Sequence, residues 1–442
     1  MKITALILTL LILMPFLGFS QEQRIKFEEY DLTNGMHVIL HQDNSTPIVA
    51  VTILYHVGSK NEVPGRTGFA HFFEHLMFEG SEYIGRGEFD KITQSAGGTL
   101  NANTSQDRTF YYELLPSNQL ELGLWLESER LLHLRLDSTG VETQRAVVKE
   151  ERKQSYDNRP YGTIIEKTMQ NAYKEHPYRW TPIGYPEDIN KATIKEFTDF
   201  HDTYYVPNNA TLSIAGDIDL AKTRELIEKY FAEIPKGTKP IYRPSIVEPE
   251  QTEERREVVP DNIQLPAVIM AYHMPAQGTP DYYALSMLTT LLSDGESSRM
   301  TKSIVDKDQK ALQVFAFPFP LEDPGLFLIF GVVNMGVSPE VLEMAFDEEI
   351  ERAKNDPVTD QEFQKLKNKV ENDFISGNST MAGIAESLAN YHVYYGEANL
   401  INTEINRYMA VTKEDMQRVA KKYLVKNNRV VLHYVPKAKE QN

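Results

Sequence analysis

Residues 71–75 read His-Phe-Phe-Glu-His. On an α-helix, positions i and i+4 lie one above the other and i+3 shares their face, so the spacing gathers His71, Glu74 and His75 on one side. Two imidazoles placed this way can grip one Zn²⁺, and the carboxylate between them can act on a water at the same ion. A hydrolytic zinc site takes three protein ligands and keeps a fourth position open. The 442-residue chain contains no Cys, so thiolate ligands are excluded and the third ligand has to be His, Asp or Glu. The pattern predicts one Zn²⁺ per chain, held in part by His71 and His75, with Glu74 as general base. Glu142, Glu150 and Glu151, in and just before the run Ala146-Val-Val-Lys-Glu-Glu-Arg152, are candidates for the remaining ligand. Spacing alone does not choose among them.

The surrounding residues say what must position this group. Residues 68–80 predict an amphipathic helix closed by Gly80, with Phe69, Phe72, Phe73, Leu76 and Met77 as its apolar face. Two His and a Glu beside such a face are costly to bury without a partner, and a metal is one. Ahead of it, 27–32 and 36–41 read as strands around Asn34-Gly35, a strong hairpin signal, and 48–57 as a third. Behind it, 99–104 and 109–115 predict strands, and 141–156 a long helix. Residues 235–254 are rich in Pro, Lys, Glu and Thr without apolar period and read as a linker. Strands and helices then resume. Thr193-Ile-Lys-Glu-Phe precedes Asn208-Asn209 by the same spacing at which Thr412-Lys-Glu-Asp-Met precedes Asn427-Asn428, and a strand follows each pair. This echo predicts a duplicated unit. The expected fold class is α+β: two homologous lobes, each a mixed, mostly antiparallel sheet packed with helices.

The formal net charge of −17 argues against nucleic acid and anionic membrane surfaces as partners. Met1-Lys2, an apolar run over 3–19 and the small residues before Gln21 predict a signal peptide over 1–20. Export follows, with the periplasm as expected destination; secretion or retention by an uncleaved anchor are the alternatives. The expected organisation is signal peptide 1–20, catalytic zinc lobe 21–234, linker 235–254 and related lobe 255–442.

Several motifs occur in a fixed order: His71-Phe-Phe-Glu-His75; Gly97-Gly98-Thr-Leu-Asn101-Ala102-Asn-Thr104-Ser-Gln-Asp107; Val147-Val148-Lys-Glu150-Glu151; His176-Pro177-Tyr178; Pro182-Ile183-Gly184. Together they resemble the pitrilysin/insulinase family of zinc metallopeptidases, the H-x-x-E-H inverzincins, and its short two-lobe members, which include mitochondrial processing peptidase and bacterial relatives. The resemblance implies that Glu151 is the third ligand. It implies that Asn101 and Ala102 lie on an edge strand to which a peptide substrate adds as a further strand. Gln144 stands where the family commonly has a second Glu, so support behind the ligands is expected to lose a charge. The family's oxyanion-holding Arg and Tyr fall on Val305 and Leu312, in a segment, 298–314, aligned with a helix. Neither residue donates a hydrogen bond. The implied function is a zinc-dependent endopeptidase working as the catalytic subunit of a pair, with a related subunit supplying the Arg and Tyr, or otherwise as a homodimer. A non-catalytic peptide-binding or assembly subunit, and a zinc hydrolase acting on something other than peptides, are the alternatives.

Overall fold

The computed structural model describes residues 24–438; the signal-peptide expectation for 1–20 lies outside the described residues. The first sheet is built from β1 (Glu28–Asp31), β2 (His37–Gln42), β3 (Ile48–Tyr55), β4 (Thr99–Thr104), β5 (Thr109–Pro116) and β6 (Ala210–Gly216). The second comprises β7 (Arg255–Asp261), β8 (Ala267–His273), β9 (Ala311–Phe319), β10 (Leu326–Val333) and β11 (Arg429–Pro436). Helices α1 (Phe69–Leu76), α2 (Phe89–Ser95), α3 (Leu120–Leu132), α4 (Ser138–Arg152), α5 (Ile164–Ala172), α6 (Pro186–Lys191), α7 (Ile194–Tyr204) and α8 (Leu220–Phe231) precede β7. They are followed by α9 (Pro280–Ser293), α10 (Pro339–Asn355), α11 (Asp360–Gly377), α12 (Met381–Tyr395), α13 (Leu400–Met409) and α14 (Lys413–Tyr423). No helix among the described residues is long and apolar enough to cross a membrane.

The two sheets repeat one topology. The first runs β1-β2-β6-β3-β5-β4 and the second β7-β11-β8-β10-β9. In each, one parallel pair (β2 with β6, β7 with β11) is followed only by antiparallel ones. The internal echo has a structural basis. Thr193 and Thr412 are N-caps of α7 and α14, and each closes the box by donating its own backbone amide to the side chain of Glu196 or Asp415. The second Asn of each pair then ties helix end to strand end. Asn209 Nδ2 donates to Tyr204 O and His56 O, and Asn428 Nδ2 donates to Tyr423 O and His273 O.

The polypeptide linker between the sheets, 235–254, has no helix or strand but is pinned along its length. Arg243 donates to Asn209 Oδ1, Glu248 accepts the Glu175 and His176 amides, and Gln251 donates to Arg429 O. Two helices cross between the halves. α12 lays Ile384, Ala385 and Leu388 on Ile39, Ala50 and Ala215 of the first sheet. α5 lays Met169 and Ala172 on Ile269, Leu328 and Leu432 of the second. Each sheet thus has one face covered by its own half and the other by a helix from the opposite half.

Candidate metal centre

α1 is placed by its apolar face. Phe69, Phe72, Phe73 and Leu76 are buried, and Phe72 stacks on Phe197 of α7 with ring centroids 4.5 Å apart. Its start is fixed from behind. Glu62, buried, accepts the Gly68 and Ala70 amides at 2.9 Å each, a carboxylate on the positive end of the helix. Gly68 (φ 89°) packs against Gly184 (φ 64°) so closely that a Cβ on Gly184 would come within 2.4 Å of the Gly68 Cα. That contact is the structural content of the Pro182-Ile183-Gly184 motif. The helix ends at Leu76, ahead of the expected Gly80, which instead forms a turn with φ 111°.

α4 delivers the third group. It runs Ser138–Arg152 and then loosens into a π-helical turn, Lys153–Asp157. Arg152 anchors this end by donating to Glu166 and to Gly184 O at 2.8 and 2.7 Å. Glu151 then points at α1. Its Oε2 lies 3.5 Å from His71 Nε2 and 3.2 Å from His75 Nε2. Glu150, one position back, is exposed and accepts from Gln154. A tetrahedral ion with arms of about 2.0–2.1 Å has donor–donor edges of about 3.3–3.4 Å, which these two separations bracket. The imidazole rings meet at 78°, so their lone pairs can converge. One other trio of His and carboxylate side chains among the described residues brings its donor atoms within 4.8 Å of one another, Glu29, His37 and His392. There the two rings stack in parallel, 3.5 Å apart and 3° from coplanar, so their lone pairs run side by side rather than toward one point. The donor set His71, His75 and Glu151 fits zinc; the second group does not.

The electrostatics agree with this fit. Burial, helped by neighbouring His75, lowers the His71 pKa to about 4, so the ring is neutral and free to ligate near pH 7. A hydrogen bond from His75 holds Glu151 below the ordinary carboxylate range. Burial pushes Glu74 up, opposed by Thr104, whose Oγ1 donates to Glu74 Oε2 at 2.7 Å. Thr104 ends β4, which among the described residues pairs only with β5 and so forms the edge of the first sheet. Asn101 and Ala102 lie on that strand. Asn101 is exposed, and its Oδ1 accepts the Ala102 amide at 2.8 Å.

Gln144 stands two turns before Glu151 on α4, but does not reach the trio: it donates to Glu79, a buried carboxylate also paired with Arg86. Val305 and Leu312 do not share a helix. The helical segment stops at Lys307, Gln309 takes φ 51°, and Leu312 is exposed on β9. Sequence reasoning assigned no role to Glu62 or Thr104. Thr104 sits inside the motif over 97–107; Glu62 carries no local signal, because its partners are backbone amides across a turn.

Residues 37–184 match the family model described as insulinase (peptidase family M16), and 191–370 match that of the peptidase M16 inactive domain. The chain is 35% identical over 418 residues to the zinc protease PqqE of Helicobacter pylori, covering 93% of this chain and 94% of that protein. It is 22% identical over 406 residues to the uncharacterized zinc protease YmxG of Bacillus subtilis, covering 92% and 97%. A solved protease structure from Helicobacter pylori superposes with a TM-score of 0.89 at 33% identity, covering 93% of this chain and 100% of that one. The periplasmic protease PqqL from Escherichia coli superposes at 0.76 and 18% identity, covering 93% of this chain and 47% of that one.

Proposed function

Since the chain belongs to the insulinase (M16) peptidase family, we propose that it is a zinc-dependent endopeptidase hydrolysing peptides or small unfolded proteins. The observation that carries this reading is the junction of three elements: His71 and His75 on α1, Glu151 on α4, and a free-edge strand whose Thr104 grips Glu74. His71, His75 and Glu151 would hold the ion. Bound zinc supplies a more acidic water and polarises the scissile carbonyl. A peptide adds to β4 as a further strand, its backbone taken by the edge around Ala102 in place of the Asn101 side chain. Glu74 accepts the proton of the attacking water at its carboxylate and returns it to the departing amine. Its buried surroundings raise its proton affinity toward the working pH, and Thr104 fixes the orientation of the carboxylate.

Neither Val305 nor Leu312 can donate to a developing oxyanion, and Leu312 lies exposed on β9. A related subunit carrying an Arg and a Tyr is the proposed source of that stabilisation. Export to the periplasm completes the reading. It rests on the N-terminal apolar run and accords with PqqL, which is a periplasmic protease. The test is Glu74→Gln, assayed with and without a related partner subunit on an unstructured peptide panel. Turnover should vanish with zinc still bound at one equivalent. Hydrolysis retained by the variant rules out Glu74 as the base, and full activity of the isolated wild-type chain rules out the need for a partner.

A further inference from the structure

A cavity of about 750 Å³ opens in the second lobe, where the end of α9, the helical turn Thr301–Lys307, the end of α10 and the start of α11 meet. Arg299, Lys302, Lys307 and Lys365 line it. Arg352 and Asp356, also at its wall, pair with each other, which leaves Glu362 as the carboxylate facing four cations. No carboxylate among the described residues pairs with Lys302 or Lys307. A chain of net charge −17 thus gathers positive charge at this concavity, which focuses its field on whatever enters.

Arg299 is the anchor. Its side chain is only 9% exposed. Nε and one terminal nitrogen donate to Glu362 at 2.9 and 3.1 Å. The other terminal nitrogen is buried and has no hydrogen-bond partner. A buried guanidinium N–H without an acceptor is costly, and native structures rarely leave one.

The first lobe shows what the missing acceptor looks like. Arg86 stands just before α2, as Arg299 stands just before the turn Thr301–Lys307. Each reaches the N-terminus of the corresponding long helix. Arg86 donates to Asp137, the N-cap of α4, at 3.0 Å, and Arg299 to Glu362 in the first turn of α11. The second terminal nitrogen of Arg86 is taken by buried Glu79. Among the described residues no such acid reaches the corresponding nitrogen of Arg299.

We infer that this cavity binds an oxyanion, a phosphate or carboxylate group, which takes the place at Arg299 that Glu79 fills at Arg86, with Lys302, Lys307 and Lys365 around it. The inference depends neither on zinc nor on peptide hydrolysis. Free phosphate compounds and acidic peptide segments share this chemistry. Calorimetric titration of the full chain with pyrophosphate, and separately with tetraglutamate, tests it against Lys302→Glu/Lys307→Glu, two exposed positions where reversal leaves the core untouched. The expected result is saturable binding of at least one anion, weakened by salt and about tenfold weaker in the double reversal. Binding of pyrophosphate alone identifies a phosphate ligand, and binding of tetraglutamate alone an acidic peptide. The inference is overturned if neither anion binds the wild type, or if the reversed protein binds as tightly.

Discussion

Thr104→Val deletes the hydroxyl that links the edge strand to Glu74 and keeps a β-branched side chain of the same shape. In the wild type this hydroxyl donates to Glu74 Oε2 at 2.7 Å and opposes the burial that raises the Glu74 pKa. A hydrogen bond to a charged acceptor is worth about 1.5–3 kcal/mol. At about 1.4 kcal/mol per unit, its loss lifts the pKa by roughly one to two units. The lower figure is the better one, because Glu74 is only partly buried and water can replace part of the lost bond. A general base works ionised, so a raised pKa moves the acid limb of kcat/KM to higher pH by about one unit. The high-pH plateau should change little, since the ionised carboxylate does the same work there. The assay is a pH–rate profile on a fluorogenic peptide, with zinc content measured in both proteins. An acid limb that stays put at equal zinc occupancy refutes the assignment of that limb to Glu74 held by Thr104. A shift to lower pH refutes the sign of the argument.

Three further outcomes are expected. Glu151→Gln should weaken zinc binding by more than the roughly 10–100-fold typical of outer-shell changes, while Glu150→Gln leaves it intact; metal titration with a chromogenic competitor decides. In metal-free protein, His71 has a folded-state pKa of about 4 against an ordinary 6.5. The unfolded chain therefore binds the extra proton, and stability should fall as pH drops from about 6.5 to about 4, by at most about 3 kcal/mol. Urea unfolding across that window should show the loss, and His71→Asn should remove it. Leu388→Ala on α12 should cost about 2–5 kcal/mol, typical of a buried leucine. Because α12 covers the first sheet from the far half of the chain, unfolding should remain one transition rather than split into two.

Local signals carried much of the architecture. Asn34-Gly35, the apolar face of 69–77 and the Thr-led helix starts at 193 and 412 each encode their element through neighbours in sequence. The trio was legible in the same way for His71 and His75, which share a helix. Glu151 was not: adjacent Glu150 is chemically identical, and only the roughly 100° step around α4 separates the residue facing α1 from the one facing solvent. What lay beyond the sequence depends on distant packing. The Gln144 contact with Glu79, the Glu62 cap on α1 and the crossing of α5 and α12 all join residues whose proximity is set by the tertiary fold. The segment 298–314, which the resemblance aligns with a helix, divides for a local reason: the helical turn stops at Lys307, the chain reverses at Gln309, and a strand begins at Ala311.

Every residue of the proposed metal centre lies between 71 and 151, yet its geometry draws on the second lobe. β4 brings Thr104 to Glu74, and the turn after β4 ends on Asp107, which is buried. Lys60 pairs with Asp107 at 3.0 Å and with Glu322 of the second lobe at 2.5 Å. Tyr178 donates to Asp107 at 2.6 Å and accepts the Asp323 amide, while the Glu322 amide donates to the other Asp107 oxygen. Buried ion pairs of this kind add little net stability, but losing one member leaves a charge uncompensated. Without the turn that carries Glu322 and Asp323, Lys60 and Asp107 keep each other but lose the acceptors and amides that complete their shells. The end of β4 is then free to shift, and with it the hydroxyl that orients Glu74. The second lobe thus helps fix the position of Glu74, the proposed base, although none of the three proposed ligands comes from it. The His176-Pro177-Tyr178 motif belongs to that coupling: Tyr178 binds Asp107 on one side and the second lobe on the other.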